Sequence, residues 1–260
     1  MSTDAGFIGS TGMEAEERTL EIIANNLANL NTPAYKEVKG EFADNFYRIL
    51  RSAGTDAGAG ELAPTGIEIG SGCHLVSTTK LFTPGNKKFT GTEMDFMIDG
   101  DGFFEVIQPD GSLAYTRAGN LKVINNQVVT NSGYVVQSGF GTIPTGSKLA
   151  IAPNGQATVT NPDGSTQTFR IQVARFANPE GLVNLGNNLY AESGASGSAE
   201  LGNPAENGYG SIAQFHIEGS NVSAIKQMVG MIIAQRAYEM NSRTIQAADE
   251  MSATANLIKK

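Results

Sequence analysis

Apolar residues recur at helical spacing near both ends of the chain and lose that spacing between them. Leu20, Ile23, Leu27 and Leu30 follow one another at intervals of three, four and three, with Met13 seven residues before Leu20. That is the a/d rhythm of a helix lying lengthwise on another helix. The spacing predicts a helix from Met13 to Leu30, with Glu14, Glu17, Glu21 and Asn25 on its polar face. Gly9 and Gly12 precede it, and the chain's first turns are expected to order only on assembly. Pro33 disfavours the helical region at Thr32 and stops the element there. A second pattern runs from Asn221 to Ile258, where Val222, Ile225, Met228, Val229, Ile232 and Ile233 form a wide apolar face, continued by Tyr238, Ile245, Met251 and Ile258. Ser220 or Asn221 is the expected N-cap. At ~1.5 Å per residue such a helix reaches ~60 Å, longer than a β body of this size is wide. Its alanines suit close packing on other helices.

Between these helices the pattern is that of short strands. Phe103-Phe104-Glu105-Val106-Ile107 is turned by Pro109-Asp110-Gly111 into Leu113-Ala114-Tyr115-Thr116. Asn125-Asn126, Pro153-Asn154-Gly155 and Asn161-Pro162-Asp163-Gly164 mark further turns. Turns at intervals of about ten residues predict an antiparallel sandwich or small barrel. Residues 35–71 have no clear period, and Ser52 to Gly60 is a tract of small residues; a stretch of this kind is functional or a linker. Residues 192–211 are again rich in Gly, Ser and Asn and read as leaving the β body. The expected fold class is therefore α+β: long N- and C-terminal helices forming a coiled-coil-like domain, a central antiparallel all-β domain, and an extended linking region. The boundaries are 1–34 with 220–260, 76–191, and 35–75 with 192–219, respectively.

Composition narrows the function classes. Only 17% of the 260 residues are charged and the formal net charge is −8, with no basic stripe for nucleic acid. Cys73 is the sole cysteine, so no internal disulfide can form. No run of 18 apolar residues suggests membrane insertion. Met1-Ser2-Thr3-Asp4 lacks the basic start of a signal peptide. The expectation is a cytoplasmic chain, or one that leaves the cell without a cleaved signal.

Candidate chemistry is sparse. His74 and His216 lie far apart in sequence, and Cys73 beside His74 supplies no zinc-ligand spacing. Asp99-Gly100-Asp101-Gly102 resembles the opening of a calcium loop, but the later acidic ligand is missing. Asp95 and Asp99 could serve as paired carboxylates, but they lie near turns, where carboxylates are usually solvated. No catalytic, cofactor-binding or metal-binding residue is predicted, and no cofactor. The informative stretch is Ala24 to Lys36, in which Asn25, Asn26, Asn29 and Asn31 crowd a helix end. Asn is costly in a helix interior. Two readings stand: a frayed helix terminus, or amides that cross-link subunits through an otherwise apolar seam.

That stretch resembles the signature of the bacterial flagellar rod and hook family. Two further stretches agree in order. Gly100-Asp101-Gly102-Phe103-Phe104 followed by Tyr115-Thr116-Arg117-Ala118-Gly119-Asn120-Leu121 resembles the family's central β motif. Ser220-Asn221-Val222 with Met231 to Ser242 resembles its C-terminal helix motif. Ala34 departs from the pattern, standing where the family has Gly; a positive φ there would strain it. Length and residues 42–72 fit the family's distal-rod branch. The resemblance implies a structural, non-enzymatic subunit of the flagellar basal body, in the periplasmic to outer-membrane zone. It implies self-assembly into a helical tube that carries torque and encloses an export channel. The implied partners are copies of the chain, proximal-rod and hook or hook-junction subunits, and the surrounding rings. A proximal-rod or hook subunit, or more remotely a secreted wall-acting enzyme, are the alternatives. The expected self-assembly interface comprises Leu20, Ile23, Asn25, Asn26, Leu27, Asn29, Leu30, Asn31 and Tyr35 from the first helix region. The second helix region adds Asn221, Val222, Ile225, Val229, Ile232, Gln235, Arg236, Tyr238, Asn241 and Ile245. A rod-stiffening segment is expected at Phe42, Phe46, Leu62, Pro64, Ile67 and Ile69.

Overall fold

The computed structural model describes residues 2–54 and 64–258. Leu62 therefore lies outside the described residues, as does most of the small-residue tract. The chain forms two compact units, one helical and one β-rich. The class is α+β with antiparallel strand pairing in the β unit, as the sequence pattern predicts.

The helical unit holds α1 (Ser2–Ala28) and α2 (Ala224–Ile258). The two run antiparallel along each other. A Cβ built on Gly9 would lie 2.7 Å from Ile245 Cγ1, one on Gly12 2.7 Å from the Asn241 amide, and one on Gly230 3.3 Å from Ile23 Cδ1. The glycines that weaken a helix in isolation are points where a side chain of the other helix comes close to the backbone. This is why α1 continues through Gly9 and Gly12 to the N-terminus instead of starting at Met13. On α2 the buried residues are Gln227, Ala234 and Ala248. The large apolar side chains that define its stripe, Ile225, Met228, Val229, Ile232 and Ile233, are exposed. The helix thus meets α1 with its small and polar face. Gln227 N–H donates to Ser223 O, so Ser223 is the residue that caps α2, and neither Ser220 nor Asn221 does.

Four strands complete this unit: β1 (Val38–Asp44), β2 (Tyr47–Arg51), β3 (Ile67–Gly70) and β4 (Cys73–Lys80), which belongs to it up to Thr79. β1 pairs with β4 and β2 with β3. In the β2–β3 ribbon, Tyr47, Ile49, Leu50, Ile67 and Ile69 are all exposed, and nearby Phe46 is 94% exposed.

The β unit is built on a seven-stranded sheet. From edge to edge its strands are Val183–Gly186, Leu189–Ala191, Leu113–Thr116, Phe104–Ile107, Val135–Val136, Gln127–Thr130 and Leu121–Ile124. Strand alternation sends neighbouring side chains to opposite faces. Phe104, Ala114 and Leu189 enter a large core with Phe96, Ile98, Val159 and Ile212, while Phe103, Tyr115 and Tyr190 enter a second with Phe176 and Leu182. The two-residue hairpin turns Asn125-Asn126 and Asn187-Asn188 have positive φ, the geometry that matches strand twist and that Asn tolerates. Residues 192–219 pair into this unit instead of leaving it. Glu200–Gly202 pairs with Val173–Arg175, Ser211–Gln214 with Phe96–Asp99, and His216–Glu218 with Lys87–Phe89. Gly, Ser and Asn there are the turns between strands of three and four residues.

Gly9→Leu should force α1 away from Ile245 at a cost of about 1–3 kcal/mol. The expected readout is hydrogen exchange that accelerates throughout α1 and α2 while Phe104–Ile107 stays protected.

Candidate functional site

Lys36, Arg117 and Glu218 form one buried ion cluster inside the β unit; their side chains are 0%, 2% and 0% exposed. Lys36 Nζ donates to Glu218 Oε1 at 2.6 Å and to Thr83 O at 2.7 Å. Arg117 Nε donates to Glu218 Oε2 at 2.9 Å, and Gly85 N–H donates to Oε1 at 2.9 Å. The rest of the Arg117 guanidinium is held by three carbonyls: Gly102 O at 3.2 Å, Ile98 O at 3.3 Å and Gly100 O at 2.8 Å. Gly100 and Gly102 have φ of 118° and 149°, which only glycine adopts readily, and this backbone path brings the carbonyls onto one point. The segment that resembles a calcium loop therefore does surround a cation, the guanidinium of its own chain.

The charges do not balance, since two cations share one carboxylate. Burial, and then the Arg117 charge, push Lys36 down to about 8, with Glu218 pulling the other way. Burial pushes the Glu218 carboxyl up, but Arg117 and Lys36 outweigh it and hold the group below its ordinary value. Among the described residues no buried side-chain nitrogen or oxygen lacks a hydrogen-bond partner. Such a cluster is costly to break, because removing the shared partner leaves uncompensated charge.

The three sequence motifs meet here. The first supplies Lys36 and the turn before it, in which Ala34 has φ 56°, is buried, and donates its N–H to Glu218 O at 2.9 Å. The Gly-to-Ala departure thus falls on a left-handed position. The second motif supplies Arg117 and its carbonyl cage. The third supplies Asn221, whose Oδ1 accepts from Glu37 N–H at 2.7 Å and whose Nδ2 donates to Leu81 O at 2.8 Å and Thr83 Oγ1 at 3.0 Å. Lys36, Arg117 and Glu218 were not among the residues singled out from sequence. The signal that could have found them is a Lys, an Arg and a Glu, each in or beside a motif, within an apolar body of low charge.

The residues expected at the interface are placed as follows. Tyr35 and Val222 are buried and Asn221 is bound within the β unit. Ile23 and Asn26 are buried, while Leu20, Leu27, Leu30, Asn29, Asn241 and Ile245 are partly covered. Asn25, Asn31, Ile225, Val229, Ile232, Gln235, Arg236 and Tyr238 are exposed. Phe42, Phe46, Pro64, Ile67 and Ile69 are exposed as well.

Glu218→Gln is expected to cost about 3–5 kcal/mol by stranding two buried cations, whereas Lys36→Met keeps the Arg117–Glu218 pair and costs less; chemical denaturation orders the two. The pH dependence has a definite sign. Between about 8 and 10.5 the unfolded chain keeps a Lys36 proton that the folded one has lost, so stability rises with pH in that window. The expected rise disappears in Lys36→Met. Below the ordinary Glu value of 4.5 stability falls as Glu218 is protonated.

The chain is similar to known proteins along most of its length. Residues 8–36 match the family described as "Flagella basal body rod protein", 97–168 match "Flagellar hook protein FlgE/F/G D1 domain", and 213–258 match "Flagellar basal body rod FlgEFG protein C-terminal". Those spans contain, in order, Lys36, Arg117 and Glu218. The "Flagellar basal-body rod protein FlgG" of Agrobacterium fabrum is 41% identical over 250 residues, covering 94% of this chain and 95% of its own. That of Buchnera aphidicola subsp. Baizongia pistaciae is 37% identical over 256 residues, covering 97% and 98%. The "Flagellar hook-basal body complex protein FlhP" of Bacillus subtilis is 28% identical over 263 residues, covering 96% and 97%. With matched motifs, order and near-complete coverage, the chain belongs to the flagellar basal-body rod protein FlgG family.

Proposed function

We propose that the chain is a structural subunit, not an enzyme, of the distal rod. Copies stack head to tail into a rigid helical tube that transmits torque to the hook and encloses the export channel. Family membership supports the rod role. The single observation that carries the assembly reading is the row of Ile225, Met228, Val229, Ile232 and Ile233, exposed on α2. Apolar patches of this kind mark protein contacts, and a neighbouring copy's helices would cover them in coiled-coil-like packing. Gln235, Arg236 and Tyr238 continue the exposed surface, and Asn25 and Asn31 are its polar contribution from the first helix region. The remaining partners are proximal-rod subunits on one side, hook or hook-junction subunits on the other, and the surrounding rings.

The β2–β3 ribbon fits a bracing role. A two-stranded ribbon is at best marginally stable alone, and its apolar side chains need a neighbour on either face. Phe42, Phe46, Pro64, Ile67 and Ile69 would supply that contact, with Leu62 contributing from outside the described residues. A proximal-rod or hook subunit of the same family is the second reading, the hook favoured by the likeness to the hook-basal body complex protein and by the hook name of the 97–168 match. The subunit's position in isolated basal bodies separates the two.

Electron microscopy of the purified protein at high concentration should show straight tubes. The double substitution Ile232→Asp with Ile233→Asp should abolish them while the β unit melts as before. Tubes that persist in this variant would refute the α2 surface. Deleting residues 42–72 should leave a folded β unit but no straight rod.

A further inference from the structure

Asn26 is 1% exposed near the C-terminal end of α1. Its side-chain amide uses both ends on one backbone residue. Nδ2 donates to Val38 O at 2.8 Å, and Oδ1 accepts from Val38 N–H at 2.9 Å. The same Nδ2 lies 3.4 Å from Oε1 of Gln227, a buried residue in the first turn of α2. A carboxamide has the donor and acceptor of a peptide group, so this arrangement reproduces a strand-to-strand pairing with a side chain in place of one strand. It ties α1, the first residue of β1 and α2 together at one point.

We infer that Asn26 is the positioning residue that sets the longitudinal and rotational register of α1 against α2 and β1, with Gln227 as its receiving group. The remainder of the α1–α2 contact acts by packing. It seats Ile245, Asn241 and Ile23 over Gly9, Gly12 and Gly230, a fit of shapes without the directionality of a backbone-paired amide. Aliphatic packing alone is tolerant of such shifts, whereas a buried polar group satisfied at only one position is not. Residues Ile225, Val229 and Ile232 lie within two turns of Gln227 on the same helix, so the direction they face follows from this pin. That last consequence rests on the assembly reading; the pin itself does not.

The test uses the full chain with Cys73→Ser and spin labels on cysteines placed at Glu17 and Glu250, two exposed positions on α1 and α2. The protein with Asn26 intact should give one narrow interhelical distance. Asn26→Leu fills the same space without polar groups and should give a broadened or shifted distance at unchanged helix content, with Val38 N–H exchange accelerated about tenfold. Asn26→Asp should behave likewise at pH 7, where the carboxylate faces Val38 O, and recover the narrow distance by about pH 5, when protonation restores a donor to a buried acid. An unchanged narrow distance in Asn26→Leu, or failure of Asn26→Asp to recover at pH 5, overturns the inference. If the Cys73→Ser protein makes no tubes but its distances respond as expected, the assembly reading fails and the pin stands.

Discussion

Everything in the β unit is organised around one carboxylate that two cations must share. Glu218 is the only anion in the cluster, and both of its oxygens are taken, one by Lys36 and Gly85 N–H, the other by Arg117. Of the two cations only Lys36 can give up its proton within an accessible pH range. The arrangement is therefore less a source of net stability than a demand for one geometry. A buried ion group gains little over apolar packing when intact, yet penalises every fold in which a member is missing. Short apolar strands could pair in several registers, but a guanidinium caged by the carbonyls of Ile98, Gly100 and Gly102 accepts one.

The helical unit solves a different problem. α2 has two faces of opposite character, and the chain spends the less hydrophobic one on itself. Glycine at the α1–α2 contact permits close approach, and Ile245 and Ile23 seated on Gly9 and Gly230 yield dispersion contacts without using the Ile225–Ile233 row. The larger side chains stay outward, at a free-energy disadvantage of roughly 25 cal/mol per Å² left in water. A monomer selected only for its own stability would place them the other way round.

This division explains what was legible in the sequence. Both helices were readable because the 3-4-3 recurrence of Leu20, Ile23, Leu27 and Leu30 and the apolar row from Ile225 to Ile233 have no strand alternative. The side of α2 that meets α1 was not readable, since periodicity locates the hydrophobic stripe and not the face that α1 covers. The first helix began eleven residues earlier than the pattern suggested because Gly9 and Gly12 count against a helix until Ile245 and Asn241 are opposite them. Strands of three residues, such as Glu200–Gly202 and His216–Glu218, are too short to show alternation, and their flanking Gly and Asn dominate the composition. The motifs around Lys36, Arg117 and Asn221 were each recognisable, but their convergence is a property of the fold. Ala34 is the exception: a family pattern with Gly at that place raised the question of a left-handed backbone, and Ala34 adopts one with φ 56°.

The reach of the ion cluster along the chain has a kinetic meaning. Glu218 lies 182 residues from Lys36 and 101 from Arg117. A polypeptide appearing N-terminus first carries both cations long before their counter-ion exists, and any early collapse must keep them in water. Closing so large a ring is entropically expensive and slow. The final stitch of the β unit is thus reserved for the last sixth of the sequence, and a truncated or partly threaded molecule stays unfinished and pliable until that stretch arrives.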